Sequence, residues 1–156
     1  MKRAAAIVLA ALLAGCSADG SAPGVAQERS AAGLEQVPLT IRSGGREHRF
    51  TVEVARSRQE QATGLMNRQS LAPDRGMIFL YAPPEQATFW MKNTLIPLDL
   101  LFIRADGSIA RIEPNAVPLS LDPLASIEPV AAVLEIAGGR AAELGIVPGD
   151  KVDWPR

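Results

Sequence analysis

From Val37 to Val54, apolar and polar residues alternate through two segments that meet at Gly44-Gly45, the residue type a two-residue primed hairpin turn requires. With Ser43 facing Arg46, Ile41 faces His48, Leu39 faces Phe50 and Val37 faces Val52. One face is then apolar, the other carries Thr40, Arg42, Glu47, Arg49, Thr51 and Glu53, and a single register satisfies both. His48, the only histidine, falls on the core side near the tip. Ser57-Arg58-Gln59-Glu60 has capping-box spacing and predicts a short helix, which Gly64 ends in a left-handed conformation while Leu65 covers the last turn. Leu65-Met66-Asn67-Arg68 leaves that helix. Pro73 to Gly76 reads as a turn, Met77 to Tyr81 as a strand, and Ala82-Pro83-Pro84 as a loop, since consecutive prolines cannot donate to a ladder.

The pattern then changes. Leu98 and the run Leu100 to Ile103 enclose a single carboxylate, Asp99, between Pro97 and the turn pair Asp106-Gly107. An apolar run of this kind predicts an interior strand covered on both faces, where a carboxylate is costly unless something pairs with it. The hairpin at Asp106-Gly107 returns through Ile109 to Glu113, placing Leu101 and Ile103 with Ala110 and Ile112, and Phe102 with Ile109 on the other face. Four prolines between Pro114 and Pro129 predict an extended surface loop whose Leu119, Leu121, Leu124 and Ile127 pack down in pieces. Val130 to Ile136 is a further strand carrying Glu135. A single helical turn from Arg140 to Leu144, stopped by Gly145, leads through the turn Val147 to Asp150 into a last strand with Val152 and Trp154. The expected fold is mainly β, a compact single-domain β-sandwich or jelly-roll-like barrel with two short helices, over residues 37–156.

The amino terminus follows different rules. Lys2 and Arg3 precede an apolar stretch, Ala4 to Ala14, closed by Leu13-Ala14-Gly15-Cys16, which resembles the lipobox of bacterial lipoproteins. Residues 1–15 are then a signal peptide, and Cys16, the sole cysteine, is the site of lipidation, including palmitate. About a dozen apolar residues fall short of the roughly 20 a membrane span needs. With Cys16 used for the anchor, no disulfide or catalytic thiol is available. Ser17, where retained lipoproteins commonly carry Asp, favours the outer over the inner membrane on its periplasmic side. Residues 16–36, rich in Ser, Ala and Gly, read as a flexible tether. Cleavage removes two of the 16 basic residues and leaves a charge of −3 against 17 acidic ones, a balance that argues against a nucleic-acid partner.

Six segments taken together, GLMNRQSL from Gly64, GMIF from Gly76, FWMKNTLIPLDLLFI from Phe89, DGSIARI from Asp106, VLEIAGG from Val133 and ELGIVPGD from Glu143, resemble the domain-of-unknown-function 192 family. The resemblance runs through nearly the whole domain in the family's order and implies a compact, mostly β fold of jelly-roll or sandwich type. It implies no reaction. The matching motif residues are Met66, Arg68, Gly76, Met77, Trp90, Met91, Asn93, Thr94, Asp99, Glu135 and Gly149-Asp150, and His48 lies outside them.

Four readings of the candidate residues are open at this point, with no cofactor expected. Asp99, Lys92 and Glu135, joined by Arg68, have the character of a buried polar network that holds opposite charges ionised. The same Asp99 and Glu135 would be the acid and base of a hydrolase if they shared a cleft. Met66, Met77 and Met91 offer thioethers, soft ligands that select Cu(I), although methionine also fills core gaps. Trp90, Asn93 and Thr94, with Arg68, suit a binding platform for a small-molecule ligand or an envelope protein, and the leading expectation is a non-enzymatic binding module. No serine elbow, phosphate loop or zinc-spaced Cys/His set is present.

Overall fold

The computed structural model of the chain describes residues 29–155, so the expected signal peptide, Cys16 and residues 17–28 of the tether lie outside the described residues. The elements run β1 (Gln36–Ser43), β2 (Arg46–Ala55), α1 (Arg58–Thr63), β3 (Arg75–Glu85), β4 (Thr88–Phe89), β5 (Leu98–Ile103), β6 (Ile109–Ala116), β7 (Leu124–Ala125), β8 (Val130–Ala137), α2 (Arg140–Leu144) and β9 (Lys151–Asp153). Seven strands make one curled half-barrel sheet in the order β6-β5-β8-β3-β2-β1-β9, and β4 pairs with β7 in a small second sheet. The fold is mainly β with two short helices, as the residue pattern predicts.

The β1–β2 hairpin has the anticipated register, Ser43 opposite Arg46 through Val37 opposite Val52. Ser57 caps α1, with both halves of the capping box formed. Gly64 has a positive φ of 47° at its end, but a ψ of −135° takes it out of the left-handed helical region. The proline-rich segments differ more. Ala82-Pro83-Pro84 continues β3 across an irregularity between Leu80 and Glu85, where the missing N–H donors cost no ladder bond. Leu119, Leu121 and Ile127 are exposed rather than packed down, and Leu124 alone of the four packs against the core. A bulge between Phe102 and Ile103 carries Ile109 onto the face of Leu101 and Ile103 and leaves Ala110 on the opposite one. The carboxyl end of the expected tether is structured: Ser30 to Leu34 form a tight turn, Glu35 accepts from the amide of Val54, and Leu34 packs against the core.

Both faces of the central sheet are covered. Leu39, Ile41, Val52, Leu101, Ile103, Leu134 and Ile136 fill one side. Met77, Phe79, Met91, Leu98, Leu100, Phe102 and Val133 fill the other. Every residue of β5 is buried, so Asp99 needs donors, and it finds three. Its Oδ1 accepts from the amides of Asn115 and Gly139, and its Oδ2 from that of Ala141, each at 2.8 Å. Gly139, left-handed at φ 81°, opens α2 with no capping side chain of its own, so Asp99 acts as a remote cap for the helix. The expected network of Asp99 with Arg68, Lys92 and Glu135 is therefore corrected. Asp99 pairs across the sheet with Ile136 and Leu100 with Glu135, and neighbouring strand residues point to opposite faces.

Asp99→Asn presents an amide N–H₂ where an oxygen now accepts. Hydrogen bonds to a charged group contribute about 1.5 to 3 kcal/mol each, so the variant should lose roughly 3 kcal/mol of unfolding free energy. Urea denaturation of the full chain measures this, and an unchanged midpoint would contradict the role assigned to Asp99.

Candidate functional site

The side of the sheet away from Asp99 carries a different problem. Glu53 of β2, Met77 of β3, Glu135 of β8 and Leu100 of β5 are successive cross-strand partners, which sets two carboxylates on the same buried face with a thioether between them. Glu53 is satisfied: Arg68 donates to its two oxygens at 2.6 and 2.8 Å, and the hydroxyl of Ser30 donates at 3.1 Å. This bidentate fork lifts the Arg68 pKa through its hydrogen bonds to Glu53, against the opposing effect of burial. Glu135 has no such clamp. Its Oε2 is buried without a hydrogen-bond partner among the described residues.

Two loops close over Glu135. The one after α1 holds Met66 and Arg68 around Asn67, and the one after β4 holds Trp90 to Thr94. Asn67 and Asn93 both have positive φ, 61° and 56°, a region asparagine tolerates better than most residues. The loops are tied directly, the amide of Asn67 donating to the carbonyl of Asn93 at 2.8 Å. The Asn93 side chain donates to Met66 Sδ at 3.9 Å. Between them lies a cavity of about 330 Å³ lined by residues 61–66, Phe79, Tyr81, Thr88, Phe89, Trp90, Thr94 and Glu135. Phe89 meets Phe79 edge to face at 4.9 Å, stiffening one wall. Trp90, 51% exposed, sits at the mouth. The chain of residues 117–121 runs beside it, with Ser120 accepting from the Met91 amide and Thr94 accepting from that of Leu119.

The structure thus brings together Trp90, Thr94, Met66 and Glu135 from among the anticipated residues. Asn93 supports the rim through Met66, and Arg68 is held on Glu53 and lines neighbouring recesses instead. Lys92 points its ammonium at the Trp90 ring, 5.1 Å from the centroid, and meets neither carboxylate. The soft-metal set is corrected too: Met77 and Met91 are core residues, and only Met66 lines the cavity. Asp99 and Glu135 face opposite sides of the sheet, so the two carboxylates share no cleft and the hydrolase pairing lacks its geometry. His48 keeps its side near the hairpin tip with its Nε2 buried and unpartnered among the described residues. Glu53 is the functional neighbour missed from the sequence. Its place between Val52 and Val54, before Ala55, was the available signal, and it reads equally as the last polar position of a hairpin face.

Burial pushes the Glu135 carboxyl up to about 8, with the nearby Arg68 charge drawing it only partly back. Tyr81, on the same wall, is pushed up to about 12 by burial first and then by the charges of Glu85 and Glu135. For Glu135, a folded-state value above the unfolded one means that the native chain binds the extra proton. Its contribution is intact below the usual carboxylate range and is lost as pH rises toward 8. Stability should fall by on the order of 1 kcal/mol per pH unit across that window from this group alone. In Glu135→Gln that component vanishes. Urea midpoints at several pH values between 5 and 8 distinguish the two proteins, and equal slopes would contradict the assignment.

A solved structure from Novosphingobium aromaticivorans DSM 12444, of a protein of unknown function, is 50% identical and superposes with a TM-score of 0.80, covering 83% of this chain and 93% of that one. A second, from Sinorhizobium meliloti 1021 and described as a proposed transcription regulator, is 42% identical with a TM-score of 0.76, covering 78% of this chain and 95% of that one. Among curated proteins, nothing matches. The pattern of the DUF192 family, described as "Uncharacterized ACR", matches residues 39–154, a span that includes Arg68, Trp90, Asp99 and Glu135. The chain belongs to the DUF192 family.

Proposed function

We propose that this protein is a non-enzymatic binding module, held on the periplasmic side of a bacterial outer membrane by lipid on Cys16, whose ligand site is the cavity over Glu135. One observation carries the site: a buried carboxylate oxygen with no partner among the described residues lies at a cavity whose mouth is a half-exposed tryptophan. A buried polar atom left unpaired costs about 1 to 3 kcal/mol, a cost that a ligand's hydrogen bond removes. Concave sites of this size, mostly apolar with a few polar groups, are where small ligands bind. The anchor rests on Leu13-Ala14-Gly15-Cys16 and its apolar leader, and Ser17 favours the outer membrane.

Acid–base catalysis has less support, because among the described residues Glu135 has no second titratable partner lining the cavity apart from a phenol held neutral. Regulation of transcription, the description attached to the S. meliloti relative, would need groups that neutralise phosphates. With 16 basic residues against 17 acidic ones, the chain offers no excess of them.

Two measurements test this reading. A fragment screen by NMR on the full chain should move the signals of the Trp90 indole, the Met66 methyl and the Thr94 amide together, and Trp90→Ala should weaken the hits about tenfold, the order expected for a central aromatic contact. Hits scattered over the surface would contradict the site. Palmitate labelling in a Gram-negative host should mark the wild type and not Cys16→Ser, and an unlabelled, freely soluble wild type would contradict the anchor.

A further inference from the structure

The geometry points to an organic cation as the ligand of this cavity: a small protonated amine whose ammonium meets Glu135 while an apolar or aromatic body lies among Phe89, Trp90 and Tyr81. The inference rests on the reading of the cavity as the binding site and goes further, to the charge of what it takes.

Three features of the lining carry it. Among the described residues, Glu135 is the only charged or acidic side chain in it apart from the Tyr81 phenol, and no lysine, arginine or histidine of them lines the space. Four aromatic residues share that lining, and the π-faces of such rings attract cations and disfavour anions. Trp90 already receives a cation, the Lys92 ammonium, at 5.1 Å from its ring. An anionic ligand would need a free cation, yet both Glu53 oxygens occupy the Arg68 guanidinium, which opens onto other recesses, and the Lys92 ammonium is held over the Trp90 ring. Among the described residues, the charged and titratable groups around Glu135 are Arg68, which is paired with Glu53 and still draws the Glu135 carboxyl partly down, Tyr81, and, at the mouth, Lys92 over the Trp90 ring.

Binding is then proton exchange. Below the carboxyl's raised pKa, Glu135 gives its proton to solvent as the ammonium arrives, and the carboxylate accepts an N–H in its place. One proton leaves for each amine bound, and no covalent bond changes.

The probes are benzylammonium, benzyl alcohol and phenylacetate, which share a ring and differ in charge. Titrated into the full chain by calorimetry in two buffers of different ionisation enthalpy, benzylammonium should bind at least about tenfold more tightly than the other two at pH 8. Its affinity should rise about tenfold per pH unit between pH 5 and 7 and level off above pH 8, and binding should release close to one proton at pH 6. Glu135→Gln should bind it at least about tenfold more weakly, without pH dependence. If benzyl alcohol or phenylacetate binds as well, or if the amine's affinity ignores pH, while NMR signals of Trp90 and Met66 still move, the cation assignment is overturned and the cavity stands. If none of the probes moves those signals, both readings fall.

Discussion

A strand buried on both faces accepts a carboxylate only where backbone or side-chain donors meet it, and that constraint organises this domain. β5 and β8 lie side by side as interior strands of the sheet, and each carries one acid. Asp99 answers the constraint completely, with three amides from the end of β6 and the start of α2. These bonds fix where the small helix docks and how the chain turns after β8. Asp99 is thus a structural joint, and its apparent promise as chemistry is spent on holding the fold.

Glu135 answers the same constraint poorly. Across the face it shares with Glu53, the donor fork of Arg68 goes to Glu53, which keeps both of its oxygens occupied, while Glu135 feels Arg68 only through space. Burial wins over that single attraction, and the carboxyl stays protonated near neutral pH. The loops bearing Met66 and Trp90, pinned to each other through Asn67 and Asn93, leave a cavity above it instead of sealing it with core side chains. An unpaired buried oxygen beneath an exposed tryptophan is the observation on which the proposed ligand site rests.

Much of this was legible in the residues. Alternation and the Gly44-Gly45 turn gave the β1–β2 register, Ser57 and Glu60 the start of α1, and the run around Asp99 the interior strand. Local pattern could not reveal partners brought from afar. The donors to Asp99 are backbone amides, which every residue has, so nothing in sequence marks Asn115, Gly139 and Ala141 as its partners. Arg68 could meet any of several acids, and only the parallel β2–β3 pairing, made possible by the α1 crossover, carries Glu53 to the right face. The bulge opposite Phe102 and Ile103 moved Ile109 and Ala110 between faces for the same reason, because an extra residue in one strand is invisible until its partner is known. The methionines illustrate the converse: they are close in sequence, but two of the three fill the core.

Glu135 is a buried carboxyl that no donor clamps, and the proposed binding of an ammonium depends on how tightly it holds its proton. Carbon-13 NMR of the glutamate side-chain carboxyls, with the Glu135 signal assigned by its absence in Glu135→Gln, reads that group directly. The account predicts a titration midpoint of about 8, well apart from the other glutamates. A midpoint in the ordinary carboxylate range would contradict it, because the oxygen would then be solvated or paired and the cavity would have no unmet polar group to offer.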